Sequence, residues 1–254
     1  MTLAGNAVTL CMWTQGRAGR EAMPILMPIP RENMTANFCR LWVEFVLLYV
    51  ALPLALLAVR RAGWCVPVLP ILWAAAYPAA WYLVRRRGWG ARELVGFSLT
   101  RAQAGHLLLR VAIAAAALTG GICLVAPEQL FELPRRSPSL WALVMVCYPV
   151  LSVLPQGILY RGLFYARYAP LFGSERQAWL AGALAFSLAH LVFANVWAVA
   201  LTFAGGLFIN RTYRKTGSLL ASDLEHALYG QLVFTAGWGR FLYHGTLRLL
   251  ERGL

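Results

Sequence analysis

The chain is a succession of apolar runs, each stopped by arginines or by a short polar loop. Phe38 to Val59 stops at Arg60-Arg61, and Trp64 to Val84 stops at Arg85-Arg86-Arg87. A helix needs about 20 predominantly apolar residues to cross the hydrocarbon of a bilayer, and these runs have that length. Further spans are expected from His106 to Ala126, Ser139 to Tyr160, Trp179 to about Phe193, Trp197 to Ile209, and Ser218 to about Trp238. The fifth and sixth are short for a full crossing, which predicts a thin or funnel-shaped domain. Residues 91–105 read as an interfacial amphipathic stretch, and residues 161–178 as a basic, aromatic connection.

Composition agrees with lipid as the solvent. The chain is 60% hydrophobic and 13% charged, whereas a soluble domain is about a quarter charged. The expected fold is all-α, a polytopic transmembrane helical bundle of about seven or eight spans. One membrane domain is expected over residues 37–254, after a flexible tail over residues 1–36. The lipid bilayer is its first partner. A formal net charge of +13 would suit nucleic acid, but the basic residues sit at span ends rather than along one face, so no nucleic-acid partner is expected.

The same charges set the orientation. The N-terminal tail, the second loop (Arg85, Arg86, Arg87, Arg92, Arg101), the fourth (Arg161, Arg167, Arg176) and the sixth (Arg211, Arg214, Lys215) are arginine- or lysine-rich. The first and third loops carry an arginine pair each, and the fifth none. The positive-inside rule therefore places the N-terminus and the even loops in the cytoplasm. A seventh and last span would leave the basic tail outside, so the tail is expected either to form an eighth crossing or to lie on the surface. Cys11, Cys39, Cys65, Cys123 and Cys147 have no C-x-x-C spacing and read as small hydrophobes.

Against this apolar background the polar residues stand out. His190 and His226 lie inside apolar runs, and ionisable side chains at membrane depth are costly enough to be functional candidates. Gln156 and Arg161 close the fourth span, and Ser222, Asp223 and Glu225 surround His226 in the seventh. With Trp179, Ser218 and Arg161 taken as cytoplasmic ends, a rise of about 1.5 Å per residue puts His190 roughly 16 Å deep, His226 roughly 12 Å and Gln156 roughly 8 Å. Comparable depth favours one shared site. Asp223 and Ser222 stand three and four residues before His226 on one helical stripe, whereas Glu225 points about 100° away.

Three motifs give these residues a context. Gln156-Gly157-Ile158-Leu159-Tyr160-Arg161 resembles a Glu-Glu-x-x-x-Arg motif, Phe186 to His190 is a full Phe-x-x-x-His, and His226 to Gly230 resembles His-x-x-x-Asn. Their order and spacing resemble the type II CAAX prenyl endopeptidase family, also called the CPBP or bacteriocin-processing family of intramembrane proteases. The resemblance covers about residues 138–235, a CAAX-protease-like core. It implies hydrolysis of a peptide bond by water, activated by a motif glutamate and the histidines, with or without a metal ion. It implies that the arginine orients the glutamates and that the asparagine helps stabilise the oxyanion. The substrate would be a peptide or a membrane protein, and the setting a cell membrane (plasma or inner), crossed several times, in what reads as a bacterial protein.

This chain departs from the pattern at both motif glutamates, replaced by Gln156 and Gly157, and at the asparagine, replaced by Gly230. An amide does not take up a proton near neutral pH and glycine has no side chain, so neither can be a general base. Three explanations stay open: a catalytically inactive relative, a substitute carboxylate from Asp223 or Glu225, or an altered codon at 156 or 157. The catalytic candidates are His190, His226, Glu225, Asp223, Arg161 and Gln156. If the site holds a metal, zinc on His190 and His226 is expected, although two imidazoles make a thin ligand set. An intramembrane endopeptidase is the leading expectation. A non-catalytic scaffold of the same fold follows from the missing glutamates, and a transporter with a histidine proton relay is disfavoured by the absence of internal repeats.

Overall fold

The structure is a computed structural model that describes residues 34–242, with side chains from residue 37. The expectations for the tail over residues 1–36 and for an eighth crossing rest mainly on residues outside that range. Among the described residues there are helices and no strands.

Seven long helices account for most of it. The first, α1, runs without a break through Met34–Val46, a π-helical turn at Leu47–Ala51, and Leu52–Arg61. Next come α2 (Val68–Arg87) and, after a short helix at Ala91–Val95, α3 (Arg101–Val125). The fourth, α4, is Pro138–Leu171, broken internally by π-helical segments at Pro149–Val153 and Ile158–Tyr168 and closed by a 3-10 turn. The bundle is completed by α5 (Glu175–Ala189), α6 (Val196–Thr216) and α7 (Leu219–Ala236).

Local chemistry fixes the boundaries. Thr100 caps α3, its hydroxyl accepting from the Gln103 N–H while the Gln103 amide oxygen accepts from the Thr100 N–H. Ser174, Asn195 and Ser218 cap α5, α6 and α7 in the same side-chain-to-backbone way. Gly217, at φ +64°, ends α6 in the left-handed conformation that glycine adopts without a Cβ clash. Pro149 lacks an N–H for the helical ladder, and the wider π turn begins at it.

Three expected boundaries are corrected. The connection is not 161–178 but only 172–174: α4 continues as helix to Leu171, with Arg161, Tyr165 and Tyr168 buried rather than solvated, and α5 starts at Glu175. Arg161 is therefore not the cytoplasmic end of α4, and the depth reckoned from it for Gln156 is too shallow. The sixth span does not stop at Ile209. It runs to Thr216, with Thr212 and Tyr213 buried and Arg214 paired with Glu175, so the thin-domain expectation does not hold for α6. Finally, α3 starts at Arg101, five residues earlier than read, because the Thr100 capping box nucleates it there.

By length and apolarity three helical stretches can cross a membrane: Asn37–Arg61, Arg101–Val125 and Pro138–Leu171. Their outward faces carry exposed large side chains, including Val43, Leu108, Ile113, Leu124, Val146 and Val150. Soluble monomers rarely expose contiguous apolar surface on this scale, and lipid contact explains it. The chain is a membrane protein. Helix α7 packs against α3, α4 and α6, and α5 packs against α1, α4 and α6. A helix lined by other helices can carry polar groups that a lipid-facing one cannot, and α7 buries Ser222, Asp223, Glu225 and His226.

Candidate functional site

The site is built where α4, α5 and α7 meet. From α4 comes Arg161, a side chain 1% exposed. Its Nη2 donates to Asp223 Oδ1 on α7 at 2.6 Å and lies 3.5 Å from His226 Nδ1. One guanidinium thus ties together three of the residues singled out in the sequence, 62 and 65 positions apart. The second carboxylate oxygen, Asp223 Oδ2, is buried without a hydrogen-bond partner among the described residues. A buried, unpaired acceptor costs free energy, and such groups cluster where a site needs them.

Gly157 explains how Asp223 fits. A β-carbon at position 157 would collide with Oδ1 and lie 2.6 Å from Oδ2 and 2.7 Å from Cγ. The carboxylate of α7 therefore fills the space in which any side chain at 157 would begin. The missing glutamate stem and the incoming aspartate are sterically exclusive.

His190 sits at the end of α5, in the 3-10 turn His190–Phe193. Its Nδ1 lies 2.8 Å from the Phe186 carbonyl oxygen. A carbonyl only accepts, so Nδ1 carries the proton and the neutral ring keeps its lone pair on Nε2. Phe186 packs between the histidines, its ring centroid 4.8 Å from that of His190 and 5.1 Å from that of His226. The first and last residues of the Phe-x-x-x-His motif are thus adjacent on one helical stripe, and the Phe ring holds both imidazoles. His226 Nε2 lies 3.2 Å from the Tyr148 hydroxyl.

Two candidates make no hydrogen bond to this group. Glu225 is fully buried but faces α3, where Arg110 Nε and the Tyr229 hydroxyl both donate to its Oε1 at 2.8 Å, and Arg110 Nη2 donates to Thr212 Oγ1. That follows from its 100° offset from His226. Gln156 is buried, but its Nε2 donates one turn back to Ser152, at 3.0 Å to the carbonyl and 2.7 Å to Oγ. Two contributors escaped the sequence reading. Arg110 is a charge in the middle of an apolar span and was open to notice. Tyr148 was not, since a tyrosine in an apolar run carries no signal until its partner is known.

The metal expectation meets a poor fit. Among the described residues no three His, Cys, Asp or Glu side chains gather as a metal-binding set. The Nδ1 lone pair of His226 faces the Arg161 cation. A catalytic zinc ordinarily takes three protein ligands, and a guanidinium beside one of them repels it.

Comparison with known proteins gives one family. Residues 138–231 match the model of the family described as Type II CAAX prenyl endopeptidase Rce1-like. The matched segment runs from the start of α4 into α7 and contains Tyr148, Arg161, Phe186, His190, Asp223 and His226, while Arg110 lies outside it on α3. No curated protein and no solved structure matches the chain.

Proposed function

We propose that this protein is an intramembrane endopeptidase in which Asp223 stands in for the carboxylate absent from the first motif. The observation that carries the reading is the packing of the Asp223 carboxylate into the space left by Gly157, on the arginine of that same motif. A carboxylate absent from α4 is supplied from α7 on the same arginine, where a side chain at 157 would begin. Glu225 also keeps an unpaired oxygen, Oε2, but Arg110 and Tyr229 hold its carboxylate on the side facing α3, so it does not share Arg161 and does not compete for the role.

The chemistry needs no metal step. Asp223 Oδ2 is free to take a proton from a water held between Asp223 and the Nε2 of His190, and the resulting hydroxide adds to the scissile carbonyl carbon. The carbonyl electron pair moves to its oxygen. Collapse of that intermediate expels the amine, which leaves with the proton taken from water. Arg161 supplies the countercharge for Asp223 and holds its rotamer. His190 offers an Nε2 lone pair fixed in direction by its bond to Phe186. Positioned acid–base groups of this sort contribute about 10²–10⁴ in rate. The substrate we envisage is a peptide or a membrane-protein segment reaching the site within a bacterial plasma or inner membrane that the chain crosses several times.

The test is a search for new N-termini in membranes of cells expressing the natural chain, Asp223→Asn or His226→Ala. Products made by the natural chain and lost in both variants are expected, with a fall of at least about 10²-fold. Products that persist in both variants would remove this site from the reaction. A natural chain that makes none, yet crosslinks a client helix in a His226-dependent way, would establish the non-catalytic scaffold instead.

A further inference from the structure

We propose that the Tyr148 hydroxyl is the hydrogen-bond donor to the oxyanion that forms when water adds to the scissile carbonyl. The proposal rests on the endopeptidase reading and assigns a role to a residue outside all three motifs.

The geometry begins with Gly230. A β-carbon there would collide with Cε1, Cζ and the hydroxyl oxygen of Tyr148, so the phenol ring of α4 occupies a notch in α7 that glycine alone leaves open. Gly230 is one turn beyond His226, and the notch delivers the hydroxyl to that histidine, 3.2 Å from Nε2. The rings of Tyr148 and His226 stand edge to face, 6.1 Å apart at 90°, and Phe234 packs on Tyr148 at 5.5 Å, which fixes the phenol in one orientation.

Hydrogen-bond chemistry then sets the direction of the hydroxyl proton. Arg161 can only donate, so His226 Nδ1, facing it, is the accepting nitrogen of the neutral ring. Nε2 therefore bears the proton and donates to the Tyr148 oxygen. The phenol both accepts and donates. With its acceptor side taken by His226, its own O–H is left to point to a third group. No other described residue hydrogen-bonds to this hydroxyl, so that group is left to a substrate atom. The relay Arg161 to His226 to Tyr148 polarises the hydroxyl towards developing negative charge, and a preorganised donor of that kind is what an oxyanion requires. No proton changes hands: the hydroxyl lends a hydrogen bond and keeps its proton.

The test compares the full chain in lipid nanodiscs with Tyr148→Phe and Gly230→Ala. The substrate is a synthetic peptide spanning the first new N-terminus found in the membrane search. Tyr148→Phe keeps the ring in its notch and removes only the hydroxyl. A fall in kcat of about 10²–10³-fold, with KM nearly unchanged and the thermal midpoint in detergent preserved, is expected for loss of one oxyanion donor. Gly230→Ala, which displaces the ring, should lose kcat to a similar extent although the hydroxyl is still present. An unchanged kcat for Tyr148→Phe, or a loss confined to KM or to thermal stability, would overturn the proposal. Asp223→Asn run alongside separates the two levels. If it is inactive while Tyr148→Phe is fully active, only the donor role falls. If it cleaves normally, or the natural chain cleaves nothing, the endopeptidase reading falls and the donor role with it.

Discussion

Gly157 and Gly230 are, with Gln156, the positions at which this chain departs from the motifs it resembles, and at each of the two glycines a side chain from the facing helix occupies the space. The exchange makes a specific prediction. Gly157→Glu, which restores the motif residue, should damage the site, because its β-carbon collides with the Asp223 carboxylate. Overpacking of this kind costs about 1–3 kcal/mol and would break the Arg161–Asp223 geometry. The double variant Gly157→Glu with Asp223→Ala clears that space and should recover both stability and cleavage relative to the single change. Thermal unfolding and cleavage of the two variants check it, and a single variant better than the double one would contradict the exchange. Arg161 shows why residue type matters at this scale. It donates to a carboxylate and faces an imidazole from one guanidinium, a fork that lysine does not reproduce.

At the scale of elements, α7 is held by ion pairs on two of its faces. Asp223 faces α4 and meets Arg161; Glu225, two residues on, faces α3 and meets Arg110. Each carboxylate keeps one unpaired oxygen, and the first shares its arginine with His226. The second shares one oxygen between Arg110 and Tyr229, on the side away from the histidines. We expect Arg110→Met to destabilise the protein by about 3–5 kcal/mol, because it strands a fully buried glutamate. Arg110→Met with Glu225→Met should cost much less, since no uncompensated charge is left. Unfolding in detergent micelles measures both. If the pair instead belonged to the reaction, the double variant would be stable and inactive. Helix α4 has a different device: its π-helical segments begin at Pro149 and extend over Ile158–Tyr168, and Arg161 lies within the second.

At the scale of the whole molecule, the lipid-facing surface and the buried polar seam are segregated. The stretches apolar enough to cross alone lie in α1, α3 and α4, while α5 and α7 supply the histidines and the aspartate. The arginine distribution predicts an orientation that two free cysteines can test. Cys39, at the start of α1, falls on the cytoplasmic side, and Cys65, in the loop between α1 and α2, on the outer side; both are exposed. In single-cysteine versions of the chain, a membrane-impermeant maleimide applied to intact spheroplasts should label Cys65 and spare Cys39. The reverse pattern would invert the topology.

The sequence by itself determined the solvent, the helical class and four of the polar residues that lie together in the candidate site, Arg161, His190, Asp223 and His226, because a charge or imidazole inside an apolar run is conspicuous and its cost is independent of the rest of the fold. It also separated Asp223 from Glu225 in direction, since the angle between them follows from helical periodicity. It misjudged where α4 and α6 end. Arginine and tyrosine read as loop residues until their burial is known, and Arg161, Tyr165 and Tyr213 are buried. Only the tertiary structure decided what fills the missing positions. An absent side chain reads the same way in a sequence whether its space is empty or occupied, and occupancy depends on which helix faces it. Asp223 lies 66 residues beyond Gly157, and Tyr148 lies 82 before Gly230. Neither pair shares a helix, so no local pattern could join them.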